Sequence, residues 1–240
     1  MRIAVVSDIH GNLPALIAVV ADFQRRGVDH VVNLGDSLSG PLLPKETAQY
    51  LMAQKDWVHL AGNHERQILS LHAKSSAVDI YAHAQLSAPE MEWIASLPFV
   101  RPFDHEVLLC HGTPTSDVGC LLENADQAAT PAEIAERLGD VGASLILCGH
   151  THVPRSVRSG GKLIVNPGSV GHPAYNDDHP YPHAIQSGSP DARYAIVEKH
   201  NGAWSASLIS VPYAYQEMAQ LARSRNRLDW ERALLTGYTS

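Results

Sequence analysis

The sequence predicts an α/β fold in which two β-sheets pack on one another, and three observations carry the prediction. The first half alternates short apolar runs with amphipathic stretches at helical spacing, the pattern of strands joined by short right-handed crossovers. The second half changes character, with short apolar strands joined by tight turns, as in a second sheet. Side chains able to bind metal stand at the ends of five apolar runs, where loops converge on a crevice in open α/β sheets.

Taken in order, residues 2–7 are short, apolar and β-branched and form a buried strand. Asn12 caps the helix that follows, with Pro14 in its first turn. Leu13, Leu16, Ile17, Val20 and Phe23 recur at helical spacing, and Gly27 ends the helix. His30-Val-Val-Asn-Leu34 is a second strand. A helix over 44–54, a strand over 57–60 and helices near 64–84 and 89–97 follow. Further strands fall at 106–110, 145–149, 162–166, 193–198 and 204–211. Ser159-Gly160-Gly161 reads as a hairpin turn before the third of these. Residues 171–192, rich in Pro, His, Asp, Gly and Ser, read as a long excursion, of a length that is often functional or mobile. Residues 214–235 read as one or two amphipathic helices. With no internal repeat and no linker, residues 1–240 are expected to form one domain.

The chain has 240 residues, 45% of them apolar, and a formal charge of −7. That balance argues against a protein built to coat nucleic acid or an anionic membrane. No apolar run approaches the length of a membrane span. The N-terminus runs as a strand straight into chemistry and is no signal peptide, so a cytoplasmic location is expected. Cys110, Cys120 and Cys148 form no C-x-x-C pair and read as reduced thiols, with Cys110 and Cys148 as small buried hydrophobes.

Fourteen histidines is a high count, and five of them belong to the fragments that end the apolar runs. The fragments are Ser7-Asp8-Ile9-His10-Gly11, Gly35-Asp36, Gly62-Asn63-His64-Glu65, Cys110-His111-Gly112 and Gly149-His150-Thr151-His152, followed by Asn166-Pro167-Gly168. Mixed imidazole and carboxylate donors suit Mn, Fe, Zn, Ni or Co, and do not suit Ca or Mg alone. Glu65 reads as a first-turn helix acid, favoured there by the helix dipole. Asn166 and Gly168 read as loop-shaping residues. Asn12 and Arg155 are candidate substrate contacts, with helix capping the favoured role of Asn12. His172, His179 and His183, in the excursion, read as surface residues.

These fragments resemble the calcineurin-like metallophosphoesterases, over Asp8 to Asn166. The stretches Ser7 to Asn12 and Asn166-Pro167-Gly168-Ser169-Val170 are similar to the small bacterial and archaeal phosphodiesterase branch. The resemblance implies a four-layer α/β/β/α sandwich of two packed mixed sheets flanked by helices. It implies two divalent transition-metal ions, Mn first among Mn, Fe, Zn, Ni and Co. One ion is held by Asp8, His10, Asp36 and His152, and the other by Asp36, Asn63, His111 and His150, with Asp36 bridging. A hydroxide between the ions then attacks phosphorus in line with the leaving oxygen, and His64, outside the ligand set, serves the phosphoryl or leaving group as the catalytic residue.

The chain departs from other branches. After Asp36 it reads Ser37-Leu38-Ser39-Gly40, without the Asp-Arg pair of the protein phosphatases, and no tyrosine ligand stands near Asp36 as in the purple acid phosphatases. The expected activity is hydrolysis of small phosphodiesters, with phosphomonoesters or nucleotides as further substrates. The rival readings are a nuclease of the same superfamily and a non-catalytic metal-binding interaction scaffold. No membrane partner is expected.

Overall fold

The computed structural model describes residues 1–124, 127–178 and 182–240. His179, singled out in the sequence, lies outside the described residues. Strand β1 (Arg2–Val6) leads through helix α1 (Leu13–Arg26) to β2 (His30–Asn33), then α2 (Pro44–Ala53), β3 (Val58–His59), α3 (Asn63–Leu69), α4 (Ala77–Gln85) and α5 (Ala88–Ala95). The chain continues through β4 (Val100–Pro102), β5 (Val107–Cys110), α6 (Pro131–Leu138), β6 (Leu145–Leu147), β7 (Arg155–Ser159) and β8 (Lys162–Asn166). It closes with β9 (Ala174–Asp177), β10 (His183–Gln186), β11 (Ala192–His200), β12 (Ala203–Val211), α7 (Tyr215–Ser224) and α8 (Leu228–Thr236).

Two five-stranded mixed sheets form, in the orders β12-β11-β1-β2-β3 and β4-β5-β6-β8-β7, with β9 and β10 as a separate hairpin. Strands β1, β2 and β3 are parallel, as are β5, β6 and β8. Side chains alternate across each strand and so serve two layers at once. Ile3 and Val5 face the second sheet, where they pack with Val32, Leu34, Leu109, Leu147 and Val165. Ala4 and Val6 face the other way, onto Leu16, Val19 and Phe23 of α1. The second sheet turns Cys110, Ile146, Cys148 and Ile164 outward to Ile134 and Leu138 of α6. Helices therefore flank both sheets, giving the expected layering. Cys110 and Cys148 are buried in that outer layer, and burial pushes the Cys110 thiol up to about 12.

Several elements differ from the sequence expectation. The helix anticipated near 64–84 is two helices, because Ser76 restarts the chain as an N-cap that accepts from the Asp79 amide. The strand 57–60 shortens to two residues. Strands β4 and β7 pair antiparallel at opposite edges of the second sheet and carry mixed polar sequences that hide them from a search for apolar runs. The excursion 171–192 contains the β9–β10 hairpin. The C-terminal stretch resolves into α7 and α8, which close a separate cluster of Leu42, Met218, Trp230 and Leu234. Among the described residues no helix is long and apolar enough to cross a membrane.

Candidate metal centre

The carboxyl ends of β1, β2, β3, β5 and β6 meet at one edge of the two sheets, and their loops interlock through backbone hydrogen bonds. Asp8 donates to the Gly35 carbonyl (3.0 Å), His10 to Asp36 (3.0 Å) and Gly149 to His111 (2.7 Å). The Glu65 carboxylate is a clamp between two loops: it accepts from the amides of Asp36 (2.9 Å), Ser37 (2.8 Å) and Gly62 (2.7 Å). Glu65 is a first-turn acid, as its position indicated, and is also fully buried. The loops approach so closely that several positions require glycine, Gly62 and Gly149 among them. A Cβ at Gly62 would sit 2.1 Å from Asp36 Oδ1, and one at Gly149 would sit 2.1 Å from Ser7 Oγ.

This packing holds five side chains in the left-handed backbone region, at φ of 56° (Asp8), 51° (His10), 51° (Asp36), 69° (His150) and 58° (His152). Non-glycine residues occupy that region at a cost on the order of 1 kcal/mol or more each, and such strain gathers at functional sites. These five are all among the seven ligand-type residues named from the sequence, and the other non-glycine residues at positive φ among those described, Asn201 and Asn226, are asparagines, which tolerate that region.

All seven come together. His111 Nε2 lies 3.1 Å from Asp36 Oδ2, His152 Nε2 lies 3.4 Å from Asp8 Oδ1, and the Nε2 atoms of His10 and His152 are 3.1 Å apart. Asp36, His111 and His150 form one group able to hold a metal ion, and Asp8, His10 and Asp36 another, with Asp36 common to both. Three imidazoles have their Nδ1 atoms turned to backbone carbonyls: His10 to Ser39 (2.7 Å), His111 to Leu34 (2.8 Å) and His152 to His172 (2.8 Å). With Nδ1–H donating there, each Nε2 lone pair points into the centre, the usual way of orienting a metal-bound histidine.

The donor set fits a pair of cations on direct grounds. Both oxygens of Asp8, Oδ1 of Asn63 and Nε2 of His111 are buried and make no well-aligned hydrogen bond among the described residues, although Asp8 Oδ1 and His111 Nε2 lie within ion-pair distance of His152 and Asp36. Buried polar atoms are rarely left so, and four in one place suit a bound cation. The electrostatics agree. Burial alone would raise Asp8 and Asp36, yet the neighbouring imidazoles hold both carboxyls below their ordinary value, His152 foremost for Asp8 and His111 for Asp36. Burial would likewise lower His111, but Asp36 overrides it and pushes His111 up to about 10. The centre is a buried negative well that favours positive charge.

His64 sits beside this set. Its amide donates to Asp36 Oδ1 (2.9 Å), and its Nδ1 meets Asp79 Oδ1 at 2.8 Å. Burial opposes its charge, but Asp36 and Asp79 outweigh burial and push His64 up to about 9. Asp79 is 2% exposed and its other oxygen accepts from Ser76 Oγ at 2.5 Å. The sequence offered no partner for His64. The only signal was a Ser-x-x-Asp pattern opening α4, indistinguishable from helix capping.

The two candidate substrate contacts fall differently. Asn12 is fully buried: Oδ1 caps α1 at Ala15 (3.3 Å), while Nδ2 donates to the Gly171 carbonyl (3.0 Å) and Tyr213 Oη (2.9 Å). That places Asn12 as a cap and a strut. Arg155 lines a cavity that also reaches Asn63, His64 and His150, and it lies 3.4 Å from Glu123. His172, expected on the surface, is 9% exposed and lies flat against Trp230, with ring centroids 3.8 Å apart. The reason is the C-terminal α8, which folds Trp230 over the metal centre. His183 is half-buried.

A family model described as the calcineurin-like phosphoesterase superfamily domain matches residues 1–185, well over half the chain. An uncharacterized protein of Methanocaldococcus jannaschii is 27% identical over 197 residues, 71% of this chain and 76% of that one. The crystal structure of a metallophosphoesterase from Sphaerobacter thermophilus superposes with a TM-score of 0.74 at 25% identity, over 94% of this chain and 95% of that one. A hypothetical protein from Pyrococcus horikoshii OT3 shares the fold, with a TM-score of 0.75 at 17% identity over 100% and 99% of the two chains.

Proposed function

From the premise that this chain belongs to the calcineurin-like phosphoesterase superfamily, we propose that it is a two-metal phosphoesterase acting on small phosphodiesters in the cytoplasm. The observation that carries the reading is the set of orphaned donor atoms of Asp8, Asn63 and His111, which faces the oriented imidazoles of His10 and His152. Asp8, His10, Asp36 and His152 hold one cation, and Asp36, Asn63, His111 and His150 the other. When bound, the two divalent ions, Mn first among Mn, Fe, Zn, Ni and Co, polarise the phosphoryl oxygens and activate water.

The protein's own groups do the rest. His64, with Nδ1 on Asp79, presents Nε2 as a proton donor to the leaving oxygen. Asp36 orients both the centre and His64 through the His64 amide. The cavity above the centre is about 350 Å³ and is lined by His10, His64, His172, Tyr175 and Trp230 among others, room for a small organic phosphoester.

Charge supports the diester. Arg227 lines that cavity but its guanidinium is engaged by both oxygens of Asp229, at 2.5 and 2.9 Å. With Arg227 so engaged and the proton of His64 destined for the leaving group, the arrangement suits a diester, which carries one negative charge, better than a monoester dianion. The test is kcat/KM for bis-p-nitrophenyl phosphate against p-nitrophenyl phosphate on protein reconstituted with Mn. The diester is expected to be the better substrate, and a clear preference for the monoester removes the diester assignment. Salt-sensitive cleavage of DNA in the same screen moves the reading to a nuclease.

A further inference from the structure

His172 belongs to none of the fragments that announce the centre, and it follows the last of them by two residues beyond Val170. Its position is nonetheless built by the centre itself. Its amide donates to Ser169 Oγ (2.8 Å), and that hydroxyl donates to the carbonyl of Asp8 (2.7 Å). Its own carbonyl accepts from His152 Nδ1 (2.8 Å). The backbone of His172 is therefore tied to two of the residues that surround the proposed cation.

The ring is fixed as well. Trp230 lies against one face, with centroids 3.8 Å apart and planes within 5°, and Tyr175 is a further ring neighbour, tilted by 28° with its centroid at 5.8 Å. Stacking on Trp230 restrains the rotation a surface histidine would have. The fixed ring meets His10 and His152 edge-on, at 70° and 72°, with centroids 5.3 and 5.7 Å away. Three imidazoles thus radiate about one point instead of stacking on each other. One ring nitrogen of each falls within 4.8 Å of the others. Among the described residues, no protein group hydrogen-bonds the ring nitrogens of His172, although the side chain is 9% exposed. An imidazole held at the cavity wall, with no protein partner on its ring nitrogens and beside two histidines oriented for metal, has a clear use.

We propose that His172 is a further ligand to the cation held by His10 and His152, giving that ion three imidazoles beside the carboxylates of Asp8 and Asp36. The proposal rests on the two-metal reading above. It makes the two metal positions unequal: the His172 side becomes the richer in nitrogen and favours later ions such as Co, Ni or Zn over Mn, while the other keeps an amide oxygen from Asn63. Trp230 acts as the positioning residue for the ring.

The experiment uses full-length protein stripped of metal and titrated with Co(II), read by calorimetry and by visible absorption. His172→Phe keeps the aromatic stack on Trp230 and removes the nitrogens. The expected result is two ions in the wild type. In the variant, one should be weakened on the order of 10- to 100-fold or more, with a changed cobalt spectrum. The competition between Co and Mn for that ion should shift toward Mn. Unchanged affinities and spectrum in His172→Phe overturn the proposal, and so does a raised KM for the diester at unchanged metal affinity, which would make His172 a substrate contact. If the variant does not fold, the wild type decides alone. The cobalt form should show hyperfine-shifted signals from five histidines, and four would overturn the proposal. A wild type that takes up fewer than two ions overturns the two-metal reading itself, an outcome seen before any variant is compared.

Discussion

Asp79→Asn separates the chemistry of His64 from the assembly of the metal centre. Asp79 is hydrogen-bonded to His64 Nδ1 at 2.8 Å and anchored by Ser76 Oγ at 2.5 Å, and neither partner is a proposed metal ligand. The substitution keeps the shape and removes the charge. A hydrogen bond to a charged partner contributes about 1.5–3 kcal/mol, roughly twice a neutral one. At about 1.4 kcal/mol per pKa unit, losing it lowers the pKa of His64 by about one to two units. His64 then loses both its preferred ring orientation and part of its proton at neutral pH. The barrier for a leaving group that needs protonation rises by a similar energy, so kcat should fall roughly 10- to 100-fold. The assay compares kcat for a phenyl or alkyl diester with kcat for a nitrophenyl diester, whose leaving group departs unaided, alongside elemental analysis for metal. The loss should be large for the first substrate, small for the second, and accompanied by unchanged metal content. Equal losses on both substrates would refute proton donation by His64. Loss of metal would show that Asp79 supports the ligand set as well.

Asp36→Asn should reduce bound metal more than any other single ligand change, because one carboxylate serves both groups of donors; retention of two ions under elemental analysis would contradict a bridging role. Gly62→Ala should abolish metal uptake by forcing a methyl group to within 2.1 Å of Asp36 Oδ1, and a variant that binds metal normally would show that the two loops are free to part. Glu65→Gln leaves three amides that converge on one carboxylate facing a side chain with a single acceptor oxygen; the expected cost is about 1–3 kcal/mol, read as a lowered Tm. For pH dependence, Glu90 is 3% exposed, and hydrogen bonds from Ser87 first of all hold its carboxyl at about 2 against an ordinary 4.5. A depressed carboxyl contributes stability that is present above pH 4.5 and is lost as pH falls from there toward 2, by at most about 3 kcal/mol. Denaturant titrations of Glu90→Gln should show a shallower decline in that window, and an unchanged decline would remove Glu90 as its source.

The sequence by itself pointed to the layered α/β fold and to the strand-end side chains that converge, and the family resemblance of its fragments narrowed those to seven. Both rest on short-range patterns: strands declare themselves through apolar alternation, and Asp8, His10, Asp36, Asn63, His111, His150 and His152 each lie within a few residues of a strand end. Parallel pairing gathers the ends of β1, β2 and β3 in one sheet and of β5 and β6 in the other, and the packing of the two sheets joins the two groups. Edge strands β4 and β7 escaped because one face of each meets solvent and carries polar residues. What tertiary structure alone decided lies in side chains whose role depends on contact between elements distant in the chain. Asp79 reaches His64 because α4 packs across α3, fifteen residues on. Glu65 looks like any first-turn acid until the loop after β2 offers it two more amides. His172 reads as one polar residue in a loop rich in histidine and proline, and it becomes a fixed, buried imidazole only when α8 lays Trp230 on its face, 58 positions later. Local propensity carries no record of such contacts, since helix packing positions those side chains.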